Sequence, residues 1–183
     1  LHHPRRPGMN PSAAQPRRFY GKYRGMVLNN VDPMQMGRLL VQVPDVEGLL
    51  PSSWAMPCLP FSGRQCGAFM LPQIGAGVWV EFEQGNPDHP IWTGGWYGSA
   101  ADVPALALAG NPVSPSVILQ TQLQNTLMIS DLPGPAGGIM LKTTTGAMIL
   151  VNDVGITISN GKGATIVMAG PTITMNAGAL VVT

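Results

Sequence analysis

Residues 77–83 alternate cleanly. Val78, Val80 and Phe82 fall on one side of an extended chain, and Trp79, Glu81 and Glu83 on the other, the period of two that marks a half-buried strand. Shorter runs of the same kind lie at 19–30, 38–45, 54–59 and 89–97. They are separated by turn-forming residues: Asp32-Pro33 and Gly37 between the first two, and Gln84-Gly85-Asn86-Pro87-Asp88 before the last. Pro57 inside the third run removes a ladder donor, so that run belongs at an edge or a bulge. Five short strands in residues 19–97, without a helical period, predict a small closed barrel of the OB type. Such a barrel often carries a helix in the loop before its fourth strand. The Gly and Pro content of residues 61–75 predicts none there.

A second pattern begins near Val117. Apolar residues one position apart recur as Ile139/Leu141, Ile149/Val151, Ile156/Ile158, Ile166/Met168, Ile173/Met175 and Leu180/Val182. Glycines at 138, 146, 155, 163, 170 and 178 fall about eight residues apart, although Gly137 and Gly161 are out of step. Nearly every one of these glycines is followed by an apolar pair. Turn formers (Asn152-Asp153, Asn160-Gly161, Asn176-Ala177-Gly178) lie between the pairs. This coupling defines a repeat of one short strand and one corner. Such a strand cannot bury its apolar face alone, and eight residues are too few to close a coil around its own interior. Three chains winding together solve the problem: each supplies one strand per level, the pairs meet on the axis, and no lateral sheet edge is left open. Ile139, Leu141, Ile149, Val151, Ile156, Ile158, Ile166, Met168, Ile173 and Met175 are the expected trimer core. Six levels at about 4.8 Å give a shaft of roughly 30 Å.

Composition sharpens this picture. Hydrophobic residues make up 45% of the 183 and charged residues 10%, against a usual charged share of about 25%, which excludes disorder of the whole chain. From 98 to 183 the only charges are Asp102, Asp131, Lys142, Asp153 and Lys162, so that segment is expected to bury much of its surface against copies of itself. Twenty-three glycines and 18 prolines argue against long helices. Arg5, Arg6, Arg17 and Arg18 sit in a Pro-rich stretch, residues 1–18, read as a flexible arm; His2 and His3 there are read as disorder or an expression remnant. Residues 98–116 read as a linker, and 117–183 as the needle. No run of about 18 apolar residues and no signal peptide is visible. Cys58 and Cys66 have no metal-like spacing and are read as reduced thiols, with a disulfide the alternative.

The residues YRGMVLNNVDPMQMGRLLVQVPD, WAMPCLP and LPQIGAGVWVEFEQGNPDHPIWTGGWYG, followed by GIMLKTTTGAMILVNDVGITISNGKGATIVM, resemble the phage baseplate assembly protein V family and its VgrG-like relatives. The likeness spans roughly residues 19–175. It implies a central spike of a contractile tail, type VI secretion system or extracellular injection particle. In that family an OB barrel is followed by an intertwined trimeric β-helix, and sheath contraction drives the spike through a target envelope. The resemblance implies a homotrimer held by a ring-shaped hub protein. It implies assembly in the bacterial cytoplasm, only transient membrane contact, and incorporation in a virion tail or a secreted phage-tail-like particle. Trp79 and Glu81, outward on the cleanest strand, are the candidate hub contacts. Some relatives insert a lysozyme domain between barrel and helix, and here only residues 98–116 lie there. Some close the tip with iron-binding histidines, whereas the histidines here are His2, His3 and His89. A blunt trimeric end at Leu180, Val182 and Thr183 would leave apolar strands in water, so a PAAR-type tip protein is expected on those residues.

Other functions find little support. Trp54, Trp79, Trp92, Trp96, Tyr97 and Phe82 would suit an aromatic platform for a single-stranded nucleic acid. Yet residues 38–97 carry only Arg38 and Arg64 against Asp45, Glu47, Glu81, Glu83 and Asp88, the wrong balance for tracking phosphates. Glu81 and Glu83 would share a strand face, but the reading is a solvated or subunit-facing edge rather than an acid–base pair. Ser62 lacks a nucleophile elbow, and Gly75-Ala76-Gly77 precedes a strand rather than a helix, which removes a phosphate loop. No catalytic residue, metal or cofactor is expected. A trimeric tail fibre or adhesin remains an alternative, one that calls for a globular receptor-binding end.

Overall fold

The computed structural model describes residues 16–109 and 116–182 and divides into two units between Trp96 and Tyr97. Most of the arm, with His2 and His3, lies outside the described residues, as does Thr183.

The first unit contains β1 (Tyr23–Asn29), β2 (Leu40–Gln42), a single helical turn α1 (Pro44–Glu47), β3 (Met56–Pro57), β4 (Ser62–Gly63), β5 (Cys66–Gly67), β6 (Gly77–Phe82) and β7 (Pro90–Trp96). The sheet order is β2-β1-β6-β7-β3, antiparallel except where β3 runs parallel to β7. Leu39 and Ala55 exchange both backbone hydrogen bonds, at 3.0 and 2.8 Å, and the Ser52 amide donates to the Val41 carbonyl at 2.8 Å. These join β2 to the chain entering β3 and close the ring into an OB-like barrel. The alternation of residues 77–83 has the expected result: Val78, Val80 and Phe82 point inward with Val27, Leu39, Val41, Val43, Ala55 and Trp92, all buried. Gly25 also faces inward, and a Cβ there would lie 2.9 Å from Val80 Cγ2. Residues 61–75 hold the β4–β5 hairpin and no helix. The turn α1 departs from the helix-free reading; Pro44 starts it and Gly48, at φ +64°, stops it after four residues.

One loop of this unit is tied by a carboxylate. Asp32, buried, accepts hydrogen bonds from the backbone amides of Met34 (2.9 Å), Met36 (2.9 Å) and Arg38 (3.2 Å), and from Arg38 Nη2 at 2.7 Å. The Arg38 guanidinium holds the Asp32 carboxyl well below the usual carboxylate range, and the three amides act in the same direction.

The second unit opens with a 3-10 turn, Ala100–Asp102, capped reciprocally by Ser99 and Asp102, and a helical turn α2 (Ala105–Leu108). Eight strands follow: β8 (Val117–Gln120), β9 (Thr126–Ser130), β10 (Gly138–Lys142), β11 (Met148–Asn152), β12 (Gly155–Ser159), β13 (Thr165–Ala169), β14 (Thr172–Met175) and β15 (Leu180–Val182). Each is antiparallel to the next, in one sheet ordered as the sequence. The seven intervals span about 34 Å at the usual strand spacing.

The corners are built locally. Asn152 Oδ1 accepts from the amides of Val154 (3.0 Å) and Gly155 (3.2 Å), and Asn160 Oδ1 from those of Lys162 (2.9 Å) and Ala164 (3.1 Å). Successive corners on one side are also tied together. The Thr144 amide donates to Asn125 Oδ1 at 3.2 Å and the Thr165 amide to Asn176 Oδ1 at 3.1 Å. Glycine is required where one corner crosses the neighbouring strand: at Gly138 (φ +94°) an added Cβ would overlap the Val151 carbonyl oxygen.

Candidate functional site

The register of the second sheet brings the repeat's apolar residues together. Ile139 faces Val151 and Leu141 faces Ile149. Ile149 then faces Ile158, and Val151 faces Ile156. Ile156 meets Met168 and Ile158 meets Ile166, then Ile166 meets Met175 and Met168 meets Ile173. Leu180 continues one column beside Met175. All ten proposed core residues therefore stand in two unbroken columns on one face of one sheet.

Four residues extend these columns without having been singled out from the sequence. Ile129 and Leu127 pair with Ile139 and Leu141, and Val117 and Leu119 pair with Ile129 and Leu127 in turn. No glycine precedes either of these pairs closely. Their strands are separated by the glycine-free turn at residues 121–125, so the glycine-coupled signal starts only at β10. The columns carry no polar side chain from β8 to β14. Within the single chain they nonetheless remain open: Ile139 and Leu141 are each 50% exposed.

The opposite face differs. Its central column reads Ile118, Met128, Met140, Leu150, Thr157, Val167 and Thr174, apolar over the first four strands and alternating threonine with valine over the next three. Gln120, Thr126, Lys142, Met148, Ser159 and Thr165 flank it, and Thr126 and Met128 on this face are buried in the single chain. Thus only one face is aliphatic from end to end.

On the barrel, the outward residues of β1, β6 and β7 form a stripe of charge and aromatic rings. The Arg24 guanidinium lies over Trp79 at 5.7 Å and over Trp96 at 5.1 Å. Lys22 Nζ bonds Glu81 at 2.7 Å and Thr93 Oγ1 at 3.0 Å. Trp79 and Glu81 are both half-buried within this stripe. Trp96 lies flat over Gly77, where a Cβ would come within 2.5 Å of the ring.

Most of the aromatics considered for base stacking serve the fold. Phe82 and Trp92 are buried, and Trp92 Nε1 donates to the Gly37 carbonyl at 3.1 Å. Trp54 is half-buried beneath the Arg38 guanidinium at 5.6 Å. Glu83 does not continue the strand beside Glu81. It begins a 3-10 turn, Glu83–Gly85, so the two carboxylates do not form a strand-face pair. Cys58 and Cys66 are exposed free thiols. Among the described residues no cluster of three or more His, Cys, Asp or Glu could hold a metal ion, and no helix is long and apolar enough to cross a membrane.

Residues 23–97 match the family model of the type VI secretion system/phage-baseplate injector OB domain, and residues 116–181 that of the phage baseplate V C-terminal trimerisation domain. The chain belongs to the phage baseplate V family. The arginine–tryptophan stripe lies in the first match, and the aliphatic columns up to Leu180 lie in the second; Val182 and Thr183 lie beyond it. Membership makes the chain a structural component of a phage tail or of a related injection system, and the trimerisation domain supports a homotrimer. No curated protein matches the chain.

Proposed function

We propose that the chain is the central spike of a contractile baseplate, a homotrimeric needle that plugs the tube end and pierces the target envelope on contraction. The observation that carries this reading is the two-column aliphatic face. Seven strands, β8 to β14, present an uninterrupted apolar surface in a segment that matches a trimerisation domain. Three copies of that face around an axis would form a dry interior, with the reverse faces outward. Ile139, Leu141, Ile149, Val151, Ile156, Ile158, Ile166, Met168, Ile173 and Met175 are its core, extended by Val117, Leu119, Leu127 and Ile129. Such a shaft has no polar lumen, which suits a plug and a mechanical point rather than a conduit or an enzyme.

The Arg24–Trp79–Trp96 stripe with Glu81 is the surface for the ring-shaped hub, since tryptophan and arginine on a rigid strand face are the residues that dominate protein contacts. A PAAR-type tip protein would cover Leu180, Val182 and Thr183. A cap that leaves Leu180–Val182 unprotected from hydrogen exchange in assembled particles removes that part. Assembly takes place in the bacterial cytoplasm, with membrane contact only during puncture and no nucleic-acid ligand.

The first test is the solution mass of the purified chain by light scattering over a range of concentrations. Three times the 19.3 kDa chain mass is expected, and a monomer at high concentration defeats the needle reading.

A further inference from the structure

We infer that the loop face of the barrel is a second contact between copies of the chain, formed within the trimer. The inference rests on the trimeric reading above and concerns a different surface.

Two loops of the barrel unit lie side by side. Asn30 Nδ2 donates to the Pro72 carbonyl at 2.9 Å. At Gly37, an added Cβ would stand 3.3 Å from Phe69 Cε2 and 3.4 Å from Leu71 Cδ2. The joint surface carries Val31 and Met34 from one loop, and Phe61, Phe69, Met70 and Ile74 from the other. Each exposes more than half of its area, and Phe69 reaches 67%. Six large apolar side chains in water amount to several hundred Å², the upper end of what monomers show and the range that marks an interaction site. The surface is also braced. The Asp32 carboxylate holds the amides of Met34 and Met36, so little ordering remains to oppose binding.

Charge argues for a second copy as the occupant. From Gly48 to Val80 the only charged residue is Arg64, and Asp32 is neutralised by Arg38. A neutral patch can gather with its symmetry mates around a three-fold axis without like-charge repulsion. The lysine and arginine of the barrel wall would not. Tethering supplies the rest. The stretch between the two matched segments, residues 98–115, spans at most about 65 Å fully extended. Three barrels joined to one trimerisation domain therefore share a local concentration on the order of millimolar, enough to hold a contact too weak to form alone.

The test uses the full chain and its methionines. In the single chain Met34 (63%) and Met70 (55%) are more exposed than Met26 (42%), a residue of strand β1 rather than of either loop. Peroxide oxidation would then follow that order if the patch were free. In the trimer we expect the order to reverse, with Met34 and Met70 oxidised about tenfold more slowly than Met26. The double substitution Phe61→Ser and Phe69→Ser should keep the trimeric mass and restore fast oxidation of Met34 and Met70. A trimer by mass whose Met34 and Met70 oxidise faster than Met26 overturns the barrel contact and leaves the needle intact. A chain that is monomeric by mass overturns both.

Discussion

Replacing Ile158 by alanine, with Thr157 replaced in a parallel variant, separates the two faces of the C-terminal sheet. Ile158 stands in an aliphatic column between Ile149 and Ile166, and its neighbour Thr157 stands on the opposite face between Leu150 and Val167. Truncating a buried isoleucine costs about 2–5 kcal/mol. In the single chain Ile158 is 39% exposed, so an isolated sheet loses less than that range, about 1–2 kcal/mol. In a trimer with the columns on the axis the cavity appears three times, at a cost of roughly 6–15 kcal/mol per trimer. Thr157→Ala, at a half-buried position without an aliphatic column, costs less, about 0.5–1 kcal/mol per chain.

Thermal melting at two protein concentrations, followed by light scattering, reads the difference. Ile158→Ala should lower Tm far more than Thr157→Ala, and should make Tm depend more steeply on concentration as dissociation joins unfolding. Equal effects from the two variants would refute the reasoning, because neither face would then be the buried one. A larger effect from Thr157→Ala would place the axis on the opposite face.

Three further outcomes follow from other parts of the molecule. Asp32→Asn removes the anchor of the loop bearing Met34 and Met36, so its Tm at neutral pH should fall. Because Arg38 depresses the folded-state pKa of Asp32, the wild-type advantage is complete above the unfolded value of about 3.9 and fades as pH drops below it; melting curves from pH 7 to pH 2 should converge, and a constant gap would exclude the clasp as their cause. Gly138→Ala puts a Cβ onto the Val151 carbonyl oxygen and should abolish the trimer in light scattering, whereas Thr172→Ala, in a strand without such a crossing, should keep it. Trp79→Ala should leave the solution mass and the far-ultraviolet spectrum unchanged yet prevent incorporation into baseplates; normal incorporation would move the hub contact off the stripe.

The barrel was legible from local alternation because its core positions follow the pleat. Val78, Val80 and Phe82 are inward for the same reason that Trp79 and Glu81 are outward. Its closure was legible only as a type of fold: the bonds that make it, between Leu39 and Ala55 and from Ser52 to Val41, join the run at 38–45 to the chain entering the run at 54–59, a pairing that alternation within either run does not specify. The exposed loop face was not legible, because exposure is a property of neighbours. Phe61 and Phe69 read in sequence like any core aromatic, and only the packing of one loop against the other leaves them outside. Likewise Glu83 looked like a partner for Glu81 until the chain turned at Gln84, whose φ of +51° breaks the strand.

The repeat shows what periodicity carries and what it leaves out. Glycine-coupled pairs located six of the eight strands, since a corner that crosses a neighbouring strand demands glycine, as at Gly138. The β8–β9 turn instead uses Thr121 and Asn125, whose side chain and amides bond within the turn at 3.1 Å, so it needs no glycine. What no count of spacings supplies is which face looks inward, because both faces carry Ile, Leu, Met or Val in the first four strands. The lower strands decide it. From β12 onward the opposite face becomes Thr157, Val167 and Thr174, residues that favour strands and tolerate water. The columns through Ile158, Ile166 and Met175 stay aliphatic over the same strands. A surface that remains apolar where its reverse turns polar is the one expected to be shielded along its whole length. Shielding of that length, from a chain with so few charges, calls for identical partners in the same register.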